Sequence, residues 1–246
     1  MRFTIIAVTA SLVAIATAAP LNKRIIGGGP VIQGDIPYIV EIQAKSGLCT
    51  GFLVDSQTVM TAARCLKDKS KPTVYIGNVK LGKGTKAAVS KFVVHPNFDD
   101  KKGLNDIALI FLSKKASVTP SKALTSPGAI PKSGTQVDVA GYGVIKNFPK
   151  FNDELNKVSL NVDPTANCKS KNSNFNDKTQ FCTRDIPLGH SACDGDWGGP
   201  VFSNNRLVGL VSRGTSGVKC GEKGSFQYFT YIKPYISWAK SEISKN

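Results

Sequence analysis

The sequence predicts an all-β protein closed by a single C-terminal helix. Apolar runs of strand length recur after residue 25, separated by clusters of turn-forming residues, and helical spacing appears only near the end of the chain. The content of 23 Gly and 13 Pro suits a loop-rich sheet protein better than a helical bundle. With 246 residues, 41% of them hydrophobic, the chain can bury a sizeable core as one domain or as two small barrels.

The first segment stands apart. Arg2 precedes an apolar run from Phe3 to Ala16, and Ala16-Thr17-Ala18 offers a small-x-small cleavage site. Residues 1–18 read as a secretory signal peptide, since the run is short for a bilayer span. Residues 19–24 then form a short propeptide ending in the dibasic pair Lys23-Arg24. No later stretch is apolar enough to be a transmembrane segment, and the mature chain is expected outside the cell.

Four stretches read most clearly as strands. Val59 to Ala63 and Ile107 to Leu112 are uncharged runs of buried type, and Leu207 to Val211 is another. Val158, Leu160 and Val162 alternate with Ser159, Asn161 and Asp163, the period of a half-buried strand. Gly82-Lys83-Gly84, Pro127-Gly128, Ser133-Gly134 and Asn204-Asn205 mark turns. The stretch from Ser113 to Ser133, with three prolines, is the best connection between two halves. At the end, Pro234 suits a first helical turn, and Tyr235, Ile236, Ala239 and Ile243 recur at helical spacing.

Six cysteines suit three disulfides in an exported chain, with the pairing left open by the spacing. The spacings are wide, C-x-x-C is absent, and the chain holds two histidines, His95 and His190. No metal site or cofactor is expected. The net charge is +15, and losing Arg2, Lys23 and Arg24 with the leader leaves +12. Lysines far outnumber arginines and are scattered. Such a surface is either simply solvated or attractive to an acidic glycan or anionic surface. No nucleic-acid motif appears.

Four further segments carry chemistry: Ile25-Ile26-Gly27-Gly28 after a basic residue, Thr61-Ala62-Ala63-Arg64-Cys65, Asn105-Asp106-Ile107-Ala108-Leu109, and Cys193-Asp194-Gly195-Asp196-Trp197-Gly198-Gly199-Pro200. In this order and at these separations the chain resembles the trypsin and chymotrypsin family of serine proteases across its whole mature length. Gly141-Tyr142-Gly143, Val94-His95-Pro96 and the terminal helix with Trp238 fit the same pattern. The resemblance implies a chymotrypsin-like fold of two six-stranded antiparallel β-barrels with a cleft between them. The N-terminal barrel would span about 25–130, the C-terminal barrel about 131–232 and the helix about 233–245, all within one domain of residues 25–246. It also implies disulfides Cys49–Cys65, Cys168–Cys182 and Cys193–Cys220.

In active relatives an aspartate holds a histidine, which takes the proton of an attacking serine. Asp106 matches the aspartate. Arg64 stands at the histidine position and Trp197 at the serine position. A guanidinium stays protonated and has no lone pair to accept a proton, so Arg64 cannot be a general base. An indole cannot form an acyl-enzyme. His95 matches a structural position away from the cleft, and His190 a loop. The site is expected to hold an Arg64–Asp106 ion pair roofed by Trp197, its indole stacked on the guanidinium.

Other implied roles survive. Asp196 matches the residue that receives the new α-ammonium of Ile25 after cleavage at Arg24; an uncut chain is expected to leave Asp196 unpaired and its loop disordered. Backbone N–H groups of Gly195 and Trp197 match an oxyanion hole. Ser191 matches the floor of an uncharged specificity pocket, with Gly214 and Gly224 on its walls. Ser212-Arg213-Gly214 matches the edge that pairs with an extended peptide. The expected function is that of an inactive protease homologue that binds a protein, as decoy, cofactor or inhibitor of a secreted hydrolase. The alternatives are an endopeptidase with residual or altered activity and a polyanion-binding protein.

Overall fold

Residues 28–144, 153–185 and 189–246 are described by a computed structural model of the chain. The expected signal peptide, the propeptide, Arg24 and Ile25 lie outside the described residues.

The structure is two curled antiparallel sheets side by side, with few helices. The strands are β1 (Gly29–Pro30), β2 (Ile39–Ala44), β3 (Gly47–Leu53), β4 (Thr58–Thr61), β5 (Thr73–Ile76), β6 (Thr85–Ala87), β7 (Val89–Val94) and β8 (Ala108–Leu112). There follow β9 (Gln136–Gly141), β10 (Asn156–Asn161), β11 (Gln180–Arg184), β12 (Pro200–Ser203), β13 (Arg206–Gly214) and β14 (Phe226–Tyr231). One sheet runs β6-β5-β2-β3-β4-β8-β7 and the other β1-β10-β9-β12-β13-β14-β11. Each therefore has seven strands where the resemblance implies six, the extra members being short. This is the all-β double barrel of the chymotrypsin-like fold. β1, although first in the chain, joins the C-terminal sheet by pairing Gly29 with Lys157.

Local sequence explains the strands. In β10 buried and exposed residues strictly alternate, as one sheet face against a core requires. β8 is buried along its whole length, because the sheet curls around it and the C-terminal helix covers the outside. Between β12 and β13, Asn204 and Asn205 both take positive φ, 48° and 59°. That is the two-residue turn whose twist matches a hairpin.

The C-terminal segment opens with a single 3-10 turn (Lys233–Tyr235). An earlier helix, α1 (Thr165–Lys171), is one that apolar spacing does not reveal, and the terminal helix is α2 (Ile236–Ser244). Ala239 of α2 and Tyr235 pack into the core of the first sheet, so the end of the chain straps the N-terminal barrel. His95 is part of that strap: its ring lies edge-on to Tyr235 at 5.2 Å and to Trp238 at 4.9 Å, and burial lowers its pKa. Disulfides join Cys49 to Cys65, Cys168 to Cys182 and Cys193 to Cys220. The barrels meet where the Thr50 N–H of β3 donates to the Trp197 carbonyl at 2.9 Å, and the Thr50 hydroxyl to the Gly195 carbonyl at 2.9 Å.

Candidate functional site: the cleft between the barrels

Strand β4 ends at Thr61, and the chain turns into a 3-10 helix, Ala63–Leu66, pinned through Cys65 to β3. That turn presents Arg64 to the cleft. From beside it in the same sheet comes Asp106, fully buried and two residues before β8, the strand that pairs with β4. Its carboxylate accepts from the Arg64 backbone N–H at 3.0 Å and from Arg64 Nε at 2.7 Å. The Ser212 hydroxyl, on β13, donates to the same Oδ2 at 2.7 Å. Three donors, one of them a permanent cation, satisfy a carboxylate that could not otherwise be buried charged. The outer guanidinium nitrogen reaches Asp100 at 3.4 Å, and Lys67 approaches the same carboxylate at 3.2 Å. Arg64 is thus held along its length, with a side chain 14% exposed.

Trp197 is half-buried and packs against the cores of both sheets, bridging the barrels. The Arg64 guanidinium carbon lies 5.6 Å from its ring centroid, within cation–π range. Gly195 takes φ of 96°, and its carbonyl is committed to Thr50. Among the described residues, the N–H groups of Gly195 and Trp197 carry no hydrogen bond. Gly198, at φ of 81°, sits where a Cβ would strike Thr61 and the Thr50 carbonyl, so only glycine lets the Trp197 loop close on β3.

Beside this cluster lies a cavity of about 400 Å³, lined by Arg64, Trp197, Arg213, Gly214, Lys219 and Gln227 among others. Trp197 forms one wall and leaves the space open. Gly224 is elsewhere: it belongs to the turn before β14, at φ of 89°, and a side chain there would meet nothing. The wall assigned to it from sequence is formed by Gln227, which β14 pairs with Gly214. A Cβ on Gly214 would press on the Gln227 amide, so that glycine makes room for a side chain. Ser191 is fully buried, and its hydroxyl donates to the Ala192 carbonyl at 2.7 Å.

Beneath Gln227 is a residue that sequence inspection passed over, Asp185. It is buried, one oxygen accepts from the Gly221 N–H at 2.9 Å, and the other has no partner among the described residues. Burial pushes its carboxyl up, opposed by Ser225, Gly221, Ser191 and Gln227 around it. No motif marks it; only its place in the fold does.

Arg213, at the end of β13, lies across the turn at Gly103 and donates to the Lys101 carbonyl at 3.3 Å. A Cβ at Gly103 would strike its guanidinium. No carboxylate pairs with Arg213 among the described residues. Asp196 is buried below the cleft, accepting from the N–H groups of Gly143 and Cys193, each at 2.8 Å. The loop around it is thereby held by backbone amides, with no cation beside Asp196 among the described residues. Burial raises its pKa to about 7.

Two curled sheets with a cleft built from the Arg64 turn, the Asp106 segment and the Asp196-Trp197 loop define a protein of the double-barrel serine-protease class. The sequence model of the family described as Trypsin matches residues 25–239, and the chain belongs to that family. It is 30% identical over 242 residues to Serine protease 1 of Homo sapiens, covering 96% of this chain and 97% of that one. It is 29% identical over 250 residues to Trypsin of Xenopus laevis, covering 100% of both, and 31% identical over 264 residues to Kallikrein 1-related peptidase b3 of Mus musculus, again covering 100% of both. No helix among the described residues is long and apolar enough to cross a membrane, and no group of side chains there could hold a metal ion.

Proposed function

We propose that this chain is a secreted member of the trypsin family that has given up proteolysis and acts by binding a protein partner across its cleft. The partner would be an inhibitor, a protease or another secreted hydrolase, for which the chain serves as decoy, cofactor or inhibitor. The observation that carries the proposal is the Arg64 Nε to Asp106 contact at 2.7 Å beside Trp197. The aspartate that would orient a base instead neutralises a cation that cannot accept a proton. The position of the nucleophile carries an indole. The N-terminal leader and three disulfides support passage through an oxidising route. Cleavage at Arg24 belongs to the same proposal, since Asp196 is buried at the site where a new Ile25 ammonium would dock.

The test is hydrolysis of casein by the chain cut after Arg24. No turnover above a buffer blank is expected; turnover blocked by a serine-directed inhibitor overturns the proposal in favour of residual endopeptidase activity. One observation favours a second, compatible reading, binding of an acidic glycan. Lys86, Lys114 and Lys115 line a groove of about 380 Å³ with no acidic side chain on its walls. Retention on an acidic polysaccharide that falls with salt, and is lost on Lys114→Ala with Lys115→Ala, would support it.

A further inference from the structure

The cleft cavity has an unusual balance of charge. Arg64, Arg213 and Lys219 stand on its walls against one acid, Asp194. Arg64 is already neutralised by Asp106 and Asp100. Arg213 and Lys219 have no carboxylate partner among the described residues. Arg213 donates only to backbone carbonyls, which leaves its positive charge uncompensated. A second acid, Asp185, is buried and does not line the space, whereas its neighbour Gln227 does. The Trp197 indole also lines the space.

The same cavity abuts an open strand edge. β12 leaves β13 at Leu210, so from Ser212 to Gly214 the cleft-side edge of β13 has no strand partner among the described residues. Thr215 N–H is turned away to the Phe226 carbonyl. An extended segment laid along this edge gains main-chain hydrogen bonds, and alternate side chains fall into the cavity.

We infer that the cleft is a receptor for an acidic segment of a partner protein, in which a Glu or Asp side chain enters the cavity between Arg213 and Lys219 while the backbone pairs with Ser212–Gly214. This rests on the proposed binding role of the cleft and names the chemistry of what binds there. The neutral amide of Gln227 caps the cavity floor and can donate to the incoming carboxylate. A lysine or arginine side chain meets the unpaired cations Arg213 and Lys219 against the single wall acid Asp194, so the selectivity is opposite to what an acidic floor would confer.

The experiment is fluorescence anisotropy of labelled Ala-Ala-Pro-X-Ala-Ala peptides, with X as Glu, Gln or Lys, on the full mature chain. The Glu peptide should bind roughly tenfold tighter than the Gln peptide, and the Lys peptide weakest, the preference shrinking as salt rises. Lys219→Gln should remove most of the preference. Its side chain is exposed and unpaired among the described residues, so folding is not at stake, and an unchanged Tm checks this. Gln227→Gly, which uncovers Asp185, should shift the preference toward the Lys peptide. Equal binding of Glu and Gln peptides overturns the acidic preference and leaves cleft binding standing. No binding by any of the three overturns the inference, as does a Lys219→Gln variant that keeps the full preference. Mass spectrometry of the same samples keeps the two questions apart: peptide cleavage refutes the non-proteolytic role, whatever the affinities.

Discussion

Asp106 and Asp196 are both buried carboxylates of one cleft, and the protein treats them in opposite ways. Asp106 has a guanidinium and a hydroxyl on its oxygens. Asp196 has two backbone amides, no described cation, and a pKa raised to about 7 by burial. Removing a charge from water must be offset by a partner or avoided by taking up a proton. The first solution makes a fixed structural element. The second leaves a group poised to respond to pH or to a newly arriving ammonium. Asp106 is thus held as a strut by fixed partners, while Asp196 keeps the capacity to take up or release a proton.

The largest effect expected from breaking this contrast is at Arg64. Arg64→Ala leaves Asp106 buried without its cation and should destabilise the chain by about 3–5 kcal/mol, read from urea unfolding. Next is the pH profile. An unfolded aspartate titrates near 3.9, whereas folded Asp196 does so at about 7. The folded chain holds a proton that the unfolded chain releases. The resulting stability is whole below about pH 4 and is lost as pH rises through about 7. In the chain uncut at Arg24 this loss should amount to a few kcal/mol, at about 1.4 per pKa unit. Asp196→Asn should flatten it, and cleavage after Arg24 should shrink it. Melting curves from pH 4 to 8 on the three proteins decide the point.

Smaller effects test the surroundings of the cleft. Gly103→Ala forces a side chain at φ of 69° into the Arg213 guanidinium. It should lower stability by about 1–2 kcal/mol and weaken binding of the acidic peptide. At the lower end, Lys67→Ala removes an exposed bridge to Asp100 and should change stability by less than about 0.5 kcal/mol.

Much of the fold was legible because the residues obey the periods that sheets impose. β10 alternates, β8 is an unbroken apolar run, and the Asn204-Asn205 pair announces its hairpin. α1 was not legible: Thr165–Lys171 buries only Cys168, so no apolar stripe exists, and the helix is anchored instead by the disulfide to Cys182. The positions of Arg64, Asp106 and Trp197 were legible because each adjoins a recognisable buried or cysteine-bearing stretch. The cavity wall was not. Gln227 lines the space because β14 pairs it with Gly214 in a register that shifts between Val211 and Arg213, while Gly224 lies in the turn before β14. A one-residue change in that register turns a side chain to the opposite face. Asp185 was hidden because its neighbours Gly221 and Ser225 are distant in sequence and reach it only once the strands have paired.

A protein that has given up proteolysis holds no nucleophile in its cleft that can be acylated. The most direct measurement is intact mass after incubation with a fluorophosphonate probe, using the chain cut after Arg24 beside its Arg64→His/Trp197→Ser double variant. No adduct is expected on the natural chain and a single adduct on the double variant, in which base and nucleophile stand again on the Asp106 scaffold. A stoichiometric adduct on the natural chain, located to the cleft, would contradict the loss of proteolysis.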